Sequence, residues 1–489
     1  MSLPPYDSVI VDIATYVYHY PLSPTTSPKA FQYARIALLD AIGCAIETIS
    51  KSADCRAIFG PIVPGTTTPD GFKLPGTSYQ LDPLKGAFDM GTAIRFLDHN
   101  DAIAGADWGH PSGAILAITD WLSRSSASGK LEHQGPPLII DTLLQAIIKA
   151  YDIQGCFLLK NAFNAHGLDH VILVKLASTA VVAWLLGLTE HQCQAAISHV
   201  WMDGHPLRVY RSGVNTIPRK GWAAGDACMK AVHLNLLTRA GQPGSPTVLT
   251  MPRWGFYATS FGNKQFEFPK QYGTWVIEHI FFKVMPVEGH GVSSVEAALI
   301  HSATLRARGL DAADHIARVE IRTNSAADMI INKKGILNNA ADRDHCMQYI
   351  VALAFLKGSI PEAHDFQNSS PWATNPSLAL LREKIDIRPD EQLTRGYLDL
   401  EKRSLAAGMT VHLTNGGVLD EVLVEFPIGH VQSSKTLGTV EQKYTRNMRL
   451  MFSEAEIVGA RKAVEENGDM EISDFIDMFV RENPIALKL

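Results

Sequence analysis

The chain has 489 residues, 46% of them hydrophobic and 19% charged, with 44 basic against 50 acidic side chains and a net charge of −6. This composition excludes wholesale disorder and allows one large domain or two to three smaller ones. The mild acidity argues against nucleic acid or an anionic membrane as a partner, and an anionic small molecule would need a local cationic pocket.

Lys29 is the first basic residue, and Asp7 and Asp12 precede it. Neither a basic presequence nor a secretory signal fits that start, so an intracellular, cytoplasmic setting is expected. Residues 30–49 place Ala34, Leu38, Ile42 and Ile46 on one helical face, and 142–159, 175–186 and 221–237 repeat the 3.6-residue period. Their many small residues permit close packing, and several are apolar nearly all round, as in helices buried on two sides. The most apolar run, 171–186, contains Lys175, Ser178 and Thr179 and reads as a buried helix rather than a membrane span. Six scattered cysteines show no CxxC spacing, which points to reduced, buried thiols and no zinc or cluster site. Near residue 280 the pattern changes. Residues 317–323 alternate like a strand, and 409–413 and 418–426 flank Asn415-Gly416, a hairpin signal. Helical segments lie between them, including 343–356, and amphipathic helix returns over 453–489. The expected architecture is mainly α with a smaller α+β domain: a helical domain from 1–279, an inserted α+β lid over 280–430, and 431–489 completing the helical part. The final Leu487-Lys488-Leu489 is weakly similar to a peroxisomal Ser-Lys-Leu signal, with Leu487 where a small residue belongs.

Four segments combine titratable residues with tight turns. In 97–117, Asp98, His99, Asp101 and Asp107 crowd a loop containing Gly105 and Gly109, and Pro111 fits the first turn of a helix that puts His110 near its N-cap. Asp98 and Asp101 serve there either as catalytic carboxylates or as plain helix caps. In 167–175, Asp169 reads as an N-cap, so His170 sits at a helix start, as a functional ring or as a core histidine bonded to backbone. In 215–227, Arg219 and Lys220 immediately precede a helix, where two cations are either solvated or attend an anion at the free N–H groups. In 281–290, Lys283, Glu288 and His290 surround Pro286 and Gly289 at the domain junction, a common ligand site, unless the segment is an ordinary linker. No GxGxxG, P-loop, nucleophile elbow or HExxH stands out. The set suits acid–base chemistry on an anionic substrate without a cofactor.

At these residues the sequence resembles the MmgE/PrpD family, on its 2-methylcitrate dehydratase branch, which is related to the cis-aconitate decarboxylases. The resemblance spans nearly the whole chain. It is carried by GPIVPGT, LDHND followed by GHPSG, GLDHVILVKLASTAVVA, PRKGWAAGD, RWGFY and NNAADRDHCMQYIVA. It implies a helical domain built from both chain ends, an α+β lid, a homodimer, and a cleft between the domains that works without metal or other cofactor. It carries the family's active-site residues onto Asp98, His110, His170, Lys220 and Lys283, with Glu288 or His290 matching the lid residue near the substrate. Together with the residue patterns above, the expected catalytic residues are Asp98, His110, His170 and Lys220, and the expected substrate-binding residues are Asp101, Arg219, Lys283, Glu288 and His290. Three positions depart from the branch: Ala102 stands where Thr follows Asn-Asp, Ser112 runs directly into Gly113, and 283–290 is one residue short. All border the expected pocket and suggest room for a longer 2-alkylcitrate, as in fungal-type specialised metabolism. The implied reaction is loss of water from 2-methylcitrate or a longer 2-alkylcitrate. Asp98 is the first choice as base, with His110 next, and His110 or His170 serves as acid. Alternatives are a cis-aconitate-type decarboxylase and a non-catalytic carboxylate-binding homologue.

Overall fold

A computed structural model describes residues 4–103, 110–211 and 215–482. Gly105, Asp107, Gly109 and the Leu487-Lys488-Leu489 end lie outside the described residues.

Helix α1 (Pro28–Lys51) starts with Pro at its first position and buries Ala34, Leu38, Ile42 and Ile46, as its periodicity predicts. It also buries Asp40 and Glu47, which periodicity alone would not place inside. Helix α2 (Pro83–Arg95) is capped by the Asp82 carboxylate, which accepts from the N–H groups of Leu84 and Lys85. A two-residue strand, β1 (Ala102–Ile103), follows. Next come α3 (Ser112–Ala127), α4 (Ile140–Leu158), α5 (Val171–Leu185) and α6 (Arg219–Arg239). In α5 nearly every residue is buried, and the inward Lys175 is accommodated because its ammonium reaches the Asp203 carbonyl at 2.7 Å. Arg219 and Lys220 form the first turn of α6 rather than preceding it.

Three glycines set how closely α2, α3 and α6 approach. A Cβ on Gly113 would stand 2.5 Å from the Gly91 backbone, and one on Gly225 would stand 2.4 Å from the Phe88 carbonyl. Only hydrogen side chains allow these axes to cross so tightly. The crossing brings the C-terminal end of α2 and the N-terminal ends of α3 and α6 into one region.

Strand β2 (Ile280–Phe281) pairs antiparallel with β1, with Ala102 opposite Phe281 and Ile103 opposite Ile280. Helix α7 (Val292–Ala307), strand β3 (Ile316–Thr323), helix α8 (Met347–Lys357), strands β4 (Ile385–Pro389), β5 (Ala407–Leu413) and β6 (Val418–Val424) form the α+β portion. Its sheet has the order β4-β3-β5-β6, with β4 parallel to β3 and the other pairs antiparallel. Gly416, at φ 85°, supplies the left-handed residue of the β5–β6 turn. The helix expected over 343–356 is instead broken: a short helix, Ala340–Arg343, ends before Asp344, and α8 begins at Met347. The side chains in the gap explain the break, as described below. Helices α9 (Thr436–Met448), α10 (Glu454–Glu466) and α11 (Ile472–Asp477) return to pack on α1 and α3. No helix among the described residues is long and apolar enough to cross a membrane.

Candidate active site

Asp98 follows the C-terminal end of α2 in a left-handed conformation, φ 55°, and is 1% exposed. Asp and Asn tolerate that region better than most residues. The Arg95 guanidinium, one helical turn back, donates to its Oδ1, and the Lys283 ammonium lies 3.0 Å from the same oxygen. Burial alone would raise this carboxyl. Arg95, Lys283, Lys220 and His345 outweigh burial and hold it ionised well below the usual carboxylate range.

Lys220 extends from the first turn of α6 into the gap between Arg343 and Met347. Its Nζ lies 2.6 Å from Asp344 Oδ1 and 2.8 Å from His345 Nδ1. Two residues turned toward one buried ammonium cannot stay on the outward face of a continuous helix, which is why 343–356 is interrupted. Burial pulls Lys220 below the ordinary lysine range, against the opposing pull of Asp344 and Asp98. Burial and the Lys220 charge push His345 down, which favours a neutral imidazole.

His110 lies just before Pro111 and is fully buried. Its Nδ1 accepts from the Ser112 N–H at 3.2 Å, so a neutral ring carries its proton on Nε2. Nε2 is 2.5 Å from Tyr151 Oη, and Tyr151 donates to Asp101 Oδ2 at 2.6 Å. The donors point one way, from imidazole through phenol to a carboxylate that lines the cleft.

Beyond the junction, the Glu288 carboxylate accepts from the His290 N–H at 2.9 Å and faces His290 Nδ1 at 2.8 Å. His290 Nε2 meets Tyr397 Oη at 3.1 Å. Burial would lower the His290 pKa, but Glu288 and Tyr397 overcome it and raise it to about 10. These groups converge on a narrow cleft lined by Asp98, Asp101, Lys283, Glu288, His290 and His345, among others. A second, wider cleft lies behind the Lys220–Asp344 pair, with Phe96, Leu97, Pro286 and Phe366 in its walls.

Not every expected residue joins this group. His170 stands at the start of α5, with Arg208 Nη1 and Asp169 Oδ1 each 3.4 Å from its Nδ1. None of these three is among the described residues lining either cleft. Asp169 does cap the helix, accepting from the Val171 N–H at 3.1 Å. Arg219 turns away to lie over Trp222, 4.3 Å from the ring centroid, and pairs with Asp226. Conversely, sequence reasoning did not single out Arg95, Tyr151, Asp344, His345 or Tyr397. The Asp-Arg-Asp-His run at 342–345 was the available signal, because such alternating charge is unusual at the start of an apolar helix.

The arrangement places the cationic side chains of Arg95, Lys220 and Lys283 around the carboxylates of Asp98 and Asp344, with a hydrogen-bonded chain from His110 ending at the cleft. It can grip a polyanion and move protons on its carbon skeleton. Family models for the MmgE/PrpD N-terminal domain and the MmgE/PrpD C-terminal domain match residues 11–269 and 285–466. An alkylcitrate dehydratase of Fungal sp. (strain ATCC 74256) is 58% identical, covering 98% of this chain and 94% of that protein. The 2-methylcitrate dehydratase of Escherichia coli (strain K12) is 44% identical, covering 98% of each. A mitochondrial 2-methylcitrate dehydratase of Yarrowia lipolytica is 42% identical over 98% of this chain and 91% of its own length.

Proposed function

The chain belongs to the MmgE/PrpD family and is a hydro-lyase, and from that premise we propose that it removes water from a 2-alkylcitrate, 2-methylcitrate or a longer homologue, at the Asp98 cleft. The observation that carries this reading is the Asp98–Lys283–Arg95 cluster beside Lys220 and His345. A citrate skeleton presents three carboxylates, and the proton to be removed sits next to one of them. That proton is weakly acidic because the adjacent carboxylate resists a second negative charge. Lys283, Lys220 and Arg95 neutralise this carboxylate as charge develops on it.

In the free protein Asp98 occupies these cations and is a weak base. A substrate carboxylate that takes over Lys283 and Arg95 releases Asp98 from their pull and restores its basicity. Asp98 then accepts the C–H proton, the electron pair forms the C=C bond, and the C–O bond breaks. The departing hydroxide takes a proton from the His290 imidazolium, which is left as a neutral imidazole beside Glu288, and leaves as water. The chain from His110 through Tyr151 holds the Asp101 carboxylate in place at the cleft. On this reading Arg219 and His170 act at a distance from the reacting atoms, Arg219 on the outer face of α6 and His170 at the start of α5. The apolar wall of Phe96, Leu97 and Phe366 behind Lys220 offers room for an alkyl tail.

The same reading divides the chain into a helical part over 1–279 and 431–489 and a lid over 280–430, because the cleft takes Asp98 from one and His290 and His345 from the other. It includes a homodimer, for which the exposed apolar side chains of Met202, Leu207, Val209 and Ile217 are the supporting feature. Six free, buried cysteines favour a reducing, intracellular compartment.

A panel of 2-alkylcitrates of increasing chain length, followed by absorbance of the unsaturated acid and by product mass, tests the reading. Each product should be lighter by one water, and Asp98→Asn should lower kcat by about 10²–10⁴-fold while the protein stays folded. Release of carbon dioxide from cis-aconitate without dehydration of any alkylcitrate would replace it with the decarboxylase alternative.

A further inference from the structure

The C-terminal helix α9 places one lysine in the middle of the molecule. Lys443 is 2% exposed, and its ammonium has three partners for its three protons. They are the Asp40 carboxylate on α1, with oxygens at 2.8 and 3.0 Å, the His99 carbonyl at 2.6 Å and the Lys283 carbonyl at 2.8 Å. His99 directly follows Asp98, and Lys283 is the residue whose own ammonium meets Asp98. These two segments are the continuations of β1 and β2, whose paired residues are Ala102 with Phe281 and Ile103 with Ile280. Where that two-residue ladder ends, the Lys443 ammonium links the two backbones in place of a further rung. His99 is fixed at its other end too: its Nδ1 is 2.6 Å from Glu47 Oε2, and Asn447, also on α9, donates to the same oxygen at 3.2 Å.

An apolar pair could fill the same volume, and burying an ammonium with a carboxylate is weak evidence for stability alone. What an apolar pair could not do is hold two carbonyl oxygens at a fixed separation. We propose that Lys443 is a positioning residue: by bridging the carbonyls of His99 and Lys283 it sets the distance between the Asp98 carboxylate and the Lys283 ammonium in the cleft. The consequence for turnover rests on the dehydratase reading above, whereas the bridge itself does not.

The test replaces the buried pair as a unit, with Asp40→Leu and Lys443→Met together, so that no lone charge is left behind. Near-native melting is expected, with kcat on 2-methylcitrate about 10²-fold lower and KM little changed, because small displacements of reacting groups cost that much. Lys443→Arg, which keeps the charge and the donors, should recover most of the loss. Amide hydrogen exchange at 100–103 and 280–284 should quicken about tenfold or more in the double variant and stay near wild type in Lys443→Arg. A folded double variant with unchanged kcat, or unchanged exchange in those two segments, would overturn the proposal. If the double variant does not fold, Lys443→Gln is read by the same exchange measurement. A wild-type protein that makes no alkene from any alkylcitrate would refute the dehydratase reading instead, and the exchange comparison would still decide the bridge.

Discussion

Asp98 and His290 are opposite solutions to keeping a charge in a buried place. Asp98 is held ionised by surrounding cations on a left-handed backbone, and His290 is held protonated by Glu288 with Tyr397 behind it. The second case has a consequence for stability. A histidine raised from about 6.5 in the unfolded chain to about 10 in the folded one contributes stability that is complete below pH 6.5. That contribution is lost as pH climbs through the folded value. The difference in unfolding free energy between wild type and His290→Gln should therefore be largest near pH 6 and shrink steadily toward pH 10. Urea melts of both proteins across that range measure it, and a difference that does not change with pH would mean that His290 is not held as a cation. Glu288→Gln should move the histidine back toward its ordinary value and flatten the same dependence.

At the scale of the elements, the sequence was legible wherever one face of a long helix meets a uniform apolar neighbour. The helices expected over 30–49, 142–159 and 221–237 are found within a few residues, and so are β3, β5 and β6. Strands β1 and β2 were not legible, because two residues carry no period. The break before α8 was hidden because Asp344 and His345 turn inward for a lysine more than a hundred residues earlier in the chain. The site divides the same way. Asp98, Lys283 and Glu288 sit at turns, where a charge has few structural duties and so draws notice. Arg95 and Tyr151 lie inside helices and look like ordinary face residues until their partners are seen. The small residues of the helices were a sounder guide than any single motif, since Gly91, Gly113 and Gly225 fix the crossing that gathers Asp98, His110 and Lys220. A methyl group at Gly113 would meet backbone, which cannot swing aside like a side-chain tip. Gly113→Ala should lower stability by about 1–3 kcal/mol, as overpacking usually does. It should also lower kcat beyond what the folded fraction explains, since α3 and α2 must move apart. Gly438, with no atom within 4 Å of its added Cβ, is the control: alanine there should leave both quantities close to wild type.

Considered as a whole, the molecule sets its cleft between parts of the chain that are distant in sequence. Arg95, Asp98 and Lys220 come from the helices of the first half, and Lys283, His290 and His345 from the second. On the proposed reading a polyanion seated there would replace Asp98 as the partner of cations from both parts, so binding should draw the two together rather than stiffen one alone. Propane-1,2,3-tricarboxylate tests this cleanly, because it has the three carboxylates of citrate but no hydroxyl to lose. At a concentration 100 times its Kd it should stabilise the protein by about 2.7 kcal/mol, from mass action alone. The thermal transition should rise as a single step if the cleft spans both parts. A rise confined to one of two separable transitions would place the anion within one part only. Lys283→Met removes a cation from one side of the cleft and Lys220→Met removes the one that holds the other side in register. Each should sharply reduce the shift, whereas Arg219→Met, on the outer face of α6, should leave it intact. A shift that survives both lysine substitutions would mean that the polyanion binds elsewhere, and the chemistry assigned to this cleft would have to move with it.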